Sequence, residues 1–403
     1  MDLRSGSAFW PIRDGLVQTF PALDGDLTCD VAVIGGGVTG AMAAYHLVEA
    51  GLDTVLVDRR DVGGGSTSAS TGLLQYEIDS NLVDLIERVG KRDAERSYQL
   101  CLEAIGKIGV LAKRAGVECE YTPKKSLYLA SYKKDVPMLR REYEARKAMG
   151  ITLAYLEPAD IRKRFPFEAP GALLSDMAAE VNPYLLSMGL LTKASERGLR
   201  AFDRTTVNAY EWGPRGVTLK TDRGAAIKAK HVVMATGYEA QQHLKQKICT
   251  FANTYAAVSE PVEAFTGWGE DQCLIWETSR PYFYARTSSD GRALFGGADH
   301  AYESDEKRDA RIPRKTTALV KCFRSMFPDI AIEVAYAWAG VFGGTEDGLP
   351  VIGQTPEYPR AYFALGYGGN GITYSLIAAE MIRDALCGKK NNDARIFGFE
   401  RLR

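Results

Sequence analysis

The first residues of this sequence whose types and spacing point to chemistry are glycines. Gly35-Gly36-Gly37-Val38-Thr39-Gly40 fits the pattern Gly-x-Gly-x-x-Gly, between an apolar run and an Ala-rich stretch. In a strand–turn–helix unit, the first glycine permits the tight turn, the second lets the main chain approach a pyrophosphate, and the third permits close helix–strand packing. The helix N-terminus adds free N–H groups and a partial positive charge. The sequence therefore predicts a dinucleotide-binding turn.

An acidic residue stands where such a turn needs a ribose ligand. Asp58 follows the apolar run Thr54–Val57 and lies 18 residues after Gly40. A carboxylate at about this spacing accepts hydrogen bonds from the ribose hydroxyls. Asp58 disfavours a 2′-phosphate, but Arg59 and Arg60 follow it. The motif alone therefore leaves NAD, FAD and NADP open.

Three further segments favour a flavin. Residues 63–72 supply glycines and a row of hydroxyls, suited to a pyrophosphate and a ribityl chain, and residues 232–237 form an apolar run that ends in small residues. Residues 366–373 form a second glycine-rich loop ahead of a helical stretch. The positive end of that helix dipole suits the N1–C2=O region of an isoalloxazine ring, where negative charge develops on reduction.

Taken together, these segments resemble the D-amino acid oxidase family of FAD-dependent oxidoreductases, which includes glycine, sarcosine and γ-glutamylputrescine oxidases. The resemblance runs from about residue 27 to 388. It rests on residues 30–40 with Asp58, 65–72, 235–237, 294–299, 338–341, 345–353 and 366–373. The arm at 8–28 is most similar to the γ-glutamylputrescine oxidase branch.

The resemblance implies an FAD cofactor and its ligands. The main chain of Val207 would contact the adenine, and residues 369–373 would face the flavin ring. The cofactor-binding residues implied in this way are Gly35, Gly37, Val38, Thr39, Gly40, Asp58, Arg59, Gly65, Ser66, Thr67, Thr71, Gly72, Leu73, Val207, Ala235, Thr236, Gly237, Gly340, Gly369, Asn370, Gly371, Ile372 and Thr373. Members with covalent flavin attach it through a cysteine in the 310–345 region. The only cysteine there, Cys322, lies in a helical stretch without a matching motif, so the FAD is predicted to be noncovalent.

Substrate-positioning residues are expected on strands that cover the flavin. Tyr282, Tyr284 and Arg286 alternate along one such run, so their side chains share a face. Arg286 is a candidate for a bidentate carboxylate clamp, as in amino-acid oxidases of this family. Trp338 and Tyr367 are candidates for the pocket wall. We therefore predict Arg286, Tyr284 and Trp338 as the residues that position the substrate.

The sequence also departs from the family. Sarcosine-type oxidases carry a lysine, thought to help oxygen react, on the strand that corresponds to residues 293–296, and here that strand has none. Residues 75–79 (Gln-Tyr-Glu-Ile-Asp) match no substrate motif, and their two acids could either attract a cationic amine or begin a helix. Of the four histidines, His300 is the one candidate for a role at the site, whereas His46 is expected to pack inside the first helix.

Composition excludes several other classes of protein. The chain has 50 Lys+Arg against 51 Asp+Glu, which gives no electrostatic footprint for nucleic acid. Seven cysteines without paired spacing favour a reducing compartment. No secretory signal and no apolar run of about 18 residues is visible. We therefore predict a cytoplasmic protein without a metal site, membrane span or nucleic-acid partner.

The fold that must position these residues is predicted to be α/β, with a Rossmann-like FAD-binding domain interleaved with an antiparallel-sheet substrate domain. Residues 30–58 read as a βαβ unit, 93–116 as an amphipathic helix, and 222–224 and 290–291 as hairpin turns. The predicted division is an irregular arm (1–28), an FAD-binding domain (29–100, 180–250 and 335–395) and a substrate domain (101–179 and 251–334).

The resemblance implies a function as well. The flavin would take a hydride at N5 from the carbon that bears an amine, and water would hydrolyse the resulting imine. The partners would be a small amine or amino acid and either oxygen or another electron acceptor. Two alternatives stay open, namely a hydroxy-acid or glycerol phosphate-type dehydrogenase and a non-catalytic FAD-binding subunit of a larger dehydrogenase.

Overall fold

The computed structural model describes residues 2–402, which form two large sheets and the helices that cover them. The strands are β1 (Arg4–Gly6), β2 (Leu27–Ile34), β3 (Thr54–Val57), β4 (Leu73–Gln75), β5 (Thr122–Leu129), β6 (Leu153–Leu156), β7 (Ala172–Glu180), β8 (Arg200–Phe202), β9 (Val207–Trp212), β10 (Val217–Thr221), β11 (Ala226–Met234), β12 (Thr250–Ser259), β13 (Leu274–Glu277), β14 (Phe283–Thr287), β15 (Ala293–Ala301), β16 (Val334–Gly344), β17 (Val351–Thr355) and β18 (Tyr358–Leu365).

The helices connect these strands and cover the sheets. They are α1 (Phe9–Asp14), α2 (Val38–Glu49), α3 (Ser66–Ala69), α4 (Leu82–Val89), α5 (Lys91–Ala115), α6 (Val136–Ala148), α7 (Pro158–Arg164), α8 (Pro183–Ser195), α9 (Gly269–Gln272), α10 (Asp305–Ala310), α11 (Ile312–Met326), α12 (Gly371–Leu386) and α13 (Ala394–Phe397). The predicted amphipathic helix corresponds to α5. Its residues Tyr98, Cys101, Ile105, Ile108 and Ala112, which share one face, are all buried.

An eight-stranded sheet carries the glycine motif. Its order is β17-β18-β11-β2-β3-β8, with β10 and β9 continuing from β11. Strands β18, β11, β2, β3 and β8 are parallel. Residues 31–34 and 54–57 are buried throughout, as expected for parallel strands covered on both faces. The predicted βαβ unit is confirmed as β2-α2-β3, and α2 packs against α8 and α12.

A ten-stranded, mostly antiparallel sheet forms the second layer. Its order is β1-β16-β12-β15-β14-β13-β5-β7-β4, and β6 also pairs with β7. The pair β13/β5 is parallel. Both predicted hairpins are present, since β10 pairs with β11 and β14 with β15 in antiparallel fashion.

The N-terminal arm is more regular than predicted. It contains β1, which pairs with β16 at the edge of the ten-stranded sheet, and the short helix α1. Phe9 and Trp10 are buried, and the Trp10 indole N–H donates to the main-chain oxygen of Ser70 at 2.6 Å. The arm is therefore ordered by pairing and packing partners far away in the sequence, which explains why local patterns did not reveal it.

The predicted domain division stays a prediction. Two elements assigned to the FAD-binding domain, β4 and β16, belong to the ten-stranded sheet.

All seven cysteines are free thiols. No helix in residues 2–402 combines the length and the apolarity needed to cross a bilayer.

Candidate active site

A cavity of about 420 Å³ lies between the two sheets. From the eight-stranded sheet it is lined by Gly35, Asp58 and Ala235, which directly follow β2, β3 and β11. From the ten-stranded sheet it is lined by residues of β4, β14 and β16. Ligands of open parallel sheets bind at the carboxyl ends of the strands, which is where this cavity begins.

The turn after β2 requires its glycines. Gly35 has a φ of +104°, and a Cβ there would overlap the main-chain oxygen of Ala235. A Cβ on Gly40 would overlap the main-chain oxygen of Gly35, because α2 packs directly on the strand. Gly37 precedes the first residue of α2 and lines the cavity. The structure thus gives Gly35 and Gly40 the conformational roles predicted from their spacing.

Asp58 lies beside this turn. Its carboxylate accepts hydrogen bonds from the main-chain N–H groups of Gly36 at 2.6 Å and Arg60 at 2.8 Å, and it lines the cavity. Burial raises the pKa of Asp58, while these two hydrogen bonds oppose the shift. Arg59 and Arg60 both pair with Glu239, so a 2′-phosphate would have to compete with that carboxylate.

The cavity offers hydrogen-bonding groups that have no partner within the protein. The hydroxyl oxygens of Ser66, Thr236 and Tyr367 are buried, line the cavity and lack a hydrogen-bond partner in the described chain. The N-terminus of α12 has no side-chain cap, because the Asn370 amide donates instead to Gln75 O at 2.8 Å and Glu77 O at 3.0 Å. Together with the cradle at Gly35, these groups fit FAD, which needs donors along its pyrophosphate and at its ring.

The structure brings most of the predicted cofactor ligands together. Those that line the cavity are Gly35, Gly37, Val38, Thr39, Asp58, Arg59, Gly65, Ser66, Thr67, Thr71, Gly72, Leu73, Val207, Ala235, Thr236, Gly237, Gly340, Gly369, Asn370, Gly371 and Ile372. Gly40 and Thr373 lie outside the lining. Gly40 acts through helix packing, and the Thr373 hydroxyl donates to Asn370 O at 2.9 Å.

The opposite end of the cavity, which we call the substrate end, carries aromatic and charged side chains. It is lined by Gln75, Glu77, Asp79, Trp276, Arg280, Tyr282 and Tyr284. Burial raises the pKa values of the Tyr282 and Tyr284 hydroxyls, so both remain protonated donors near neutral pH. Tyr284, one of the predicted substrate-positioning residues, thus lines the cavity.

Arg286 does not. Its side chain is fully buried outside the cavity lining, and Nη1 donates to the main-chain oxygens of Thr71, Gly72 and Val181 at 3.0–3.2 Å. Nε donates to Thr287 O at 2.8 Å. Because main-chain carbonyls occupy the guanidinium, Arg286 ties β14 to the loop before β4 and is not placed to clamp a carboxylate. The arginine that lines the substrate end is Arg280, which the sequence analysis missed.

Trp338 also lies away from the cavity wall. It is 1% exposed, belongs to the core and donates its indole N–H to Ala69 O at 2.9 Å. It therefore supports α3, the short helix that begins at Ser66, from the side away from the cavity. Tyr367, the other aromatic candidate, does line the cavity. His46 packs as expected, with Nδ1 2.8 Å from Met42 O.

Strand β15, which has no lysine in residues 293–296, packs against Tyr284. A Cβ on Gly296 would overlap the Tyr284 hydroxyl. His300, on the same strand β15, stacks against Tyr255 at 5.7 Å between ring centroids and does not line the cavity. The structure therefore assigns His300 no contact with the candidate site.

The chain is similar to known proteins over most of its length. A family model described as FAD dependent oxidoreductase (DAO) matches residues 30–385. γ-Glutamylputrescine oxidoreductase of Escherichia coli (strain K12) is 26% identical over 394 residues, which are 95% of this chain and 89% of that protein. Glycine oxidase of Bacillus subtilis (strain 168) is 26% identical over 374 residues, 92% of this chain and 96% of that protein.

Solved structures share the architecture. Glycine oxidase from Geobacillus kaustophilus matches with a TM-score of 0.76 at 22% identity, covering 91% of this chain and 96% of that one. L-amino acid deaminase from Proteus vulgaris, without its specific insertion, matches with a TM-score of 0.77 at 20% identity, covering 96% and 97%. The predicted fold class and the predicted family are both confirmed.

Proposed function

Because the chain belongs to the DAO family of FAD-dependent oxidoreductases, we propose that it oxidises a carbon–nitrogen bond of a small amine or amino acid. The product would be an imine that water hydrolyses. Relatives named for γ-glutamylputrescine and glycine support this substrate class.

The cofactor would be held mainly by the main chain. Gly35 and Gly37 would leave room for a pyrophosphate, Asp58 would supply acceptors for a ribose, and Val207 would contact the adenine. The uncapped N-terminus of α12 would offer free N–H groups to the ring. In residues 2–402 no cysteine lines the cavity, which supports noncovalent binding.

FAD, when bound, supplies the two-electron acceptor for the hydride that leaves the carbon next to nitrogen. The protein's part is to orient the substrate and exclude water. Trp276, Tyr282 and Tyr284 form an aromatic wall, and the two phenols stay protonated, so each can donate a hydrogen bond to the substrate. No dedicated base is required if the amine enters in its neutral form.

One observation carries the proposal. The glycine turn and the aromatic and acidic side chains of the substrate end line a single continuous cavity. A dinucleotide seated on the turn would therefore share its chamber with a small molecule. A non-catalytic FAD-binding subunit has no need of such a second compartment.

The test is anaerobic reduction of the FAD-loaded protein. Amines, amino acids, hydroxy acids and polyols are mixed with it, and the flavin absorbance near 450 nm is followed. We expect bleaching by amines or amino acids and not by their hydroxyl analogues. Bleaching by hydroxy acids or polyols alone would overturn the proposal, and the absence of any bleaching would favour a carrier subunit. Admitting oxygen afterwards measures whether oxygen is the electron acceptor.

A further inference from the structure

The hydroxyl of Ser126 joins three residues of the substrate end. Ser126 lies on β5 and is fully buried, and its oxygen accepts hydrogen bonds from the Trp276 indole N–H at 3.1 Å and from the Gln75 side-chain amide at 3.2 Å. Burial raises the pKa of the Glu77 carboxyl, and a hydrogen bond from the Ser126 hydroxyl opposes that rise. Gln75, Glu77 and Trp276 all line the cavity.

The single proton of this hydroxyl decides how the Gln75 amide is turned. A serine hydroxyl can donate one hydrogen bond and accept two, and an indole N–H can only donate. Glu77 pairs with the buried guanidinium of Arg146 at 3.3 Å, which favours its carboxylate form, and a carboxylate can only accept. The Ser126 proton therefore goes to Glu77, and Gln75 faces Ser126 with its NH2 group.

This orientation leaves the carbonyl oxygen of the Gln75 side chain for the cavity. Gln75 is half-buried, and within residues 2–402 its Oε1 accepts no hydrogen bond and remains accessible. The main-chain oxygen of Gln75 accepts a hydrogen bond from the Asn370 amide at 2.8 Å, so the residue is held beside the loop that precedes α12. An accessible, unpaired amide oxygen in a cavity wall is an acceptor for an N–H group of a ligand.

We propose that Gln75 binds the amine of the substrate, with its Oε1 accepting a hydrogen bond from the substrate N–H, and that Ser126 is the positioning residue that fixes this orientation. The inference rests on the proposed function and adds to it a residue that recognises the reacting nitrogen.

A neutral amide suits this contact better than a carboxylate does. The nitrogen needs its lone pair when hydride leaves the neighbouring carbon, so the amine has to be in its neutral form. A carboxylate in contact with the nitrogen would favour the ammonium form and raise the pKa of the amine. An amide oxygen orients the neutral amine without adding that penalty.

The first test measures binding to the FAD-loaded protein without turnover. Amines and amino acids are used as their α-methylated counterparts, which have no hydrogen on the carbon next to nitrogen, and the dissociation constant comes from the flavin spectral change. Gln75→Met keeps the length of the side chain and removes the amide acceptor, so we expect the dissociation constant to rise about 3- to 10-fold. Gln99→Met on α5, outside the cavity lining, should bind as the parent does.

Ser126→Ala separates a positioning role from a merely structural one. Without the hydroxyl, the Gln75 amide is free to turn its NH2 group toward the cavity. We expect amines to bind about threefold more weakly, and the aldehyde or ketone analogues, which offer only an acceptor, to bind more tightly. Weaker binding of both classes would indicate a general disturbance of the pocket and would overturn the role of Ser126.

The pH dependence of flavin reduction gives an independent readout. Gln75→Glu introduces a carboxylate beside the amine, so we expect the midpoint of the reduction rate to move upward by at least about one pH unit, whereas Gln75→Met leaves it in place. An unshifted midpoint in Gln75→Glu would overturn the contact with the reacting nitrogen. The other ionisable groups of this end are the same in both variants, namely Glu77, Asp79, Arg280, Tyr282, Tyr284 and, close by, Asp299.

The two proposals fail in different ways. Weaker amine binding in Gln75→Met, without flavin reduction by any amine in the parent, supports the contact and contradicts the proposed function. Flavin reduction by an amine whose binding is unchanged in Gln75→Met does the reverse. The absence of binding by every amine tested would contradict both.

Discussion

The two ends of the cavity are built by different means. The end formed by the glycine turn after β2, which we call the phosphate end, depends on residues of one βαβ unit. Gly35, Gly37 and Gly40 matter there because they have no side chain, which leaves room for close approach of the main chain. At the substrate end, the lining consists of side chains from two distant regions, at 75–79 and 276–284.

The phosphate end thus requires residues for their backbone conformation, whereas the substrate end requires them for the chemistry of their side chains. A close main-chain approach admits only glycine, so it leaves a spaced pattern that any reader of the sequence can find. A wall of side chains can be assembled from many residue types, and its positions depend on the pairing of β13 with β5 and β14 and of β4 with β7. The phosphate end is therefore expected to fail sharply on mutation, and the substrate end gradually.

The largest effect is expected from Gly40→Ala. The added methyl group would overlap the main-chain oxygen of Gly35, so the turn and α2 must separate. We expect the FAD dissociation constant to rise at least about 100-fold. Fluorescence titration of the apoprotein measures it. Gly106→Ala on α5, where a Cβ meets nothing within 4 Å, serves as the control and should leave FAD binding unchanged. A normal FAD affinity in Gly40→Ala would show that the phosphate end tolerates a side chain at this position and would contradict the difference drawn between the two ends.

Arg286→Met tests a residue that joins the two ends. Loss of the guanidinium removes the donor to the oxygens of Thr71 and Val181 and the ion pair to buried Glu180, whereas Gly72 O keeps its hydrogen bond from Val181 N. We expect the free energy of unfolding to fall by about 3 kcal/mol, measured by denaturant titration followed by circular dichroism. Arg162→Met, at an exposed position, should change it by less than about 0.5 kcal/mol. Unaltered stability together with weakened substrate binding would support the predicted role of Arg286 as a carboxylate clamp.

Asp58→Ala is expected to have a smaller effect on the phosphate end than Gly40→Ala. It removes the acceptor for Gly36 N and Arg60 N and the candidate ribose ligand, but it leaves the turn's glycines intact. The FAD dissociation constant should rise about 10- to 100-fold. Asp61→Ala, an exposed neighbour, should bind FAD as the parent does. An effect larger than that of Gly40→Ala would mean that side-chain contacts, and not the main chain, dominate this end.

The smallest effect concerns Asp299, which lies near the substrate end. Burial, with added repulsion from Asp79, raises the pKa of Asp299 to about 6. An unfolded aspartate titrates near pH 3.9, so between about pH 4 and 6 the folded state holds a proton that the unfolded state has released. Stability therefore falls as pH rises through this window, and the penalty is complete above about pH 6.

Asp299→Asn removes that penalty. We expect Tm, followed by circular dichroism, to rise by about 2 °C at pH 8 and by less at pH 5. Asp329→Asn, at an exposed position, should show no such pH dependence. A gain that grows on acidification would show that the Asp299 carboxylate is stabilised by its surroundings.

Sequence reasoning recovered the two parts of this protein unequally. The βαβ unit and both hairpins followed from glycine spacing and hydrophobic alternation, because these signals are local. Most of the proposed cofactor ligands were instead implied by the resemblance to the family. Arg286 was assigned to the pocket because it shares a strand face with Tyr282 and Tyr284, and Trp338 was a candidate for the pocket wall. Their roles depend on the distant segments that they contact, Thr71–Gly72 for Arg286 and Ala69 for Trp338.

Glu77 and Asp79 illustrate the opposite case. Their alternation was visible in the sequence, but two uses for the acids fitted it equally well. The structure places Glu77 and Asp79 in the cavity lining, and the next helix begins only at Leu82. That placement depends on the pairing of β4 with β7, whose residues are distant in the sequence.

The strand β1 has a consequence for the order of assembly. Arg4 pairs with Gly340, and Leu3 of the same arm lines the cavity. A ribosome delivers β1 long before β16, so the arm must wait without this partner until the residues between them have emerged. The cavity can therefore be closed at this edge only after β16 has been translated, which leaves an interval in which a cofactor meets a cavity still open on that side.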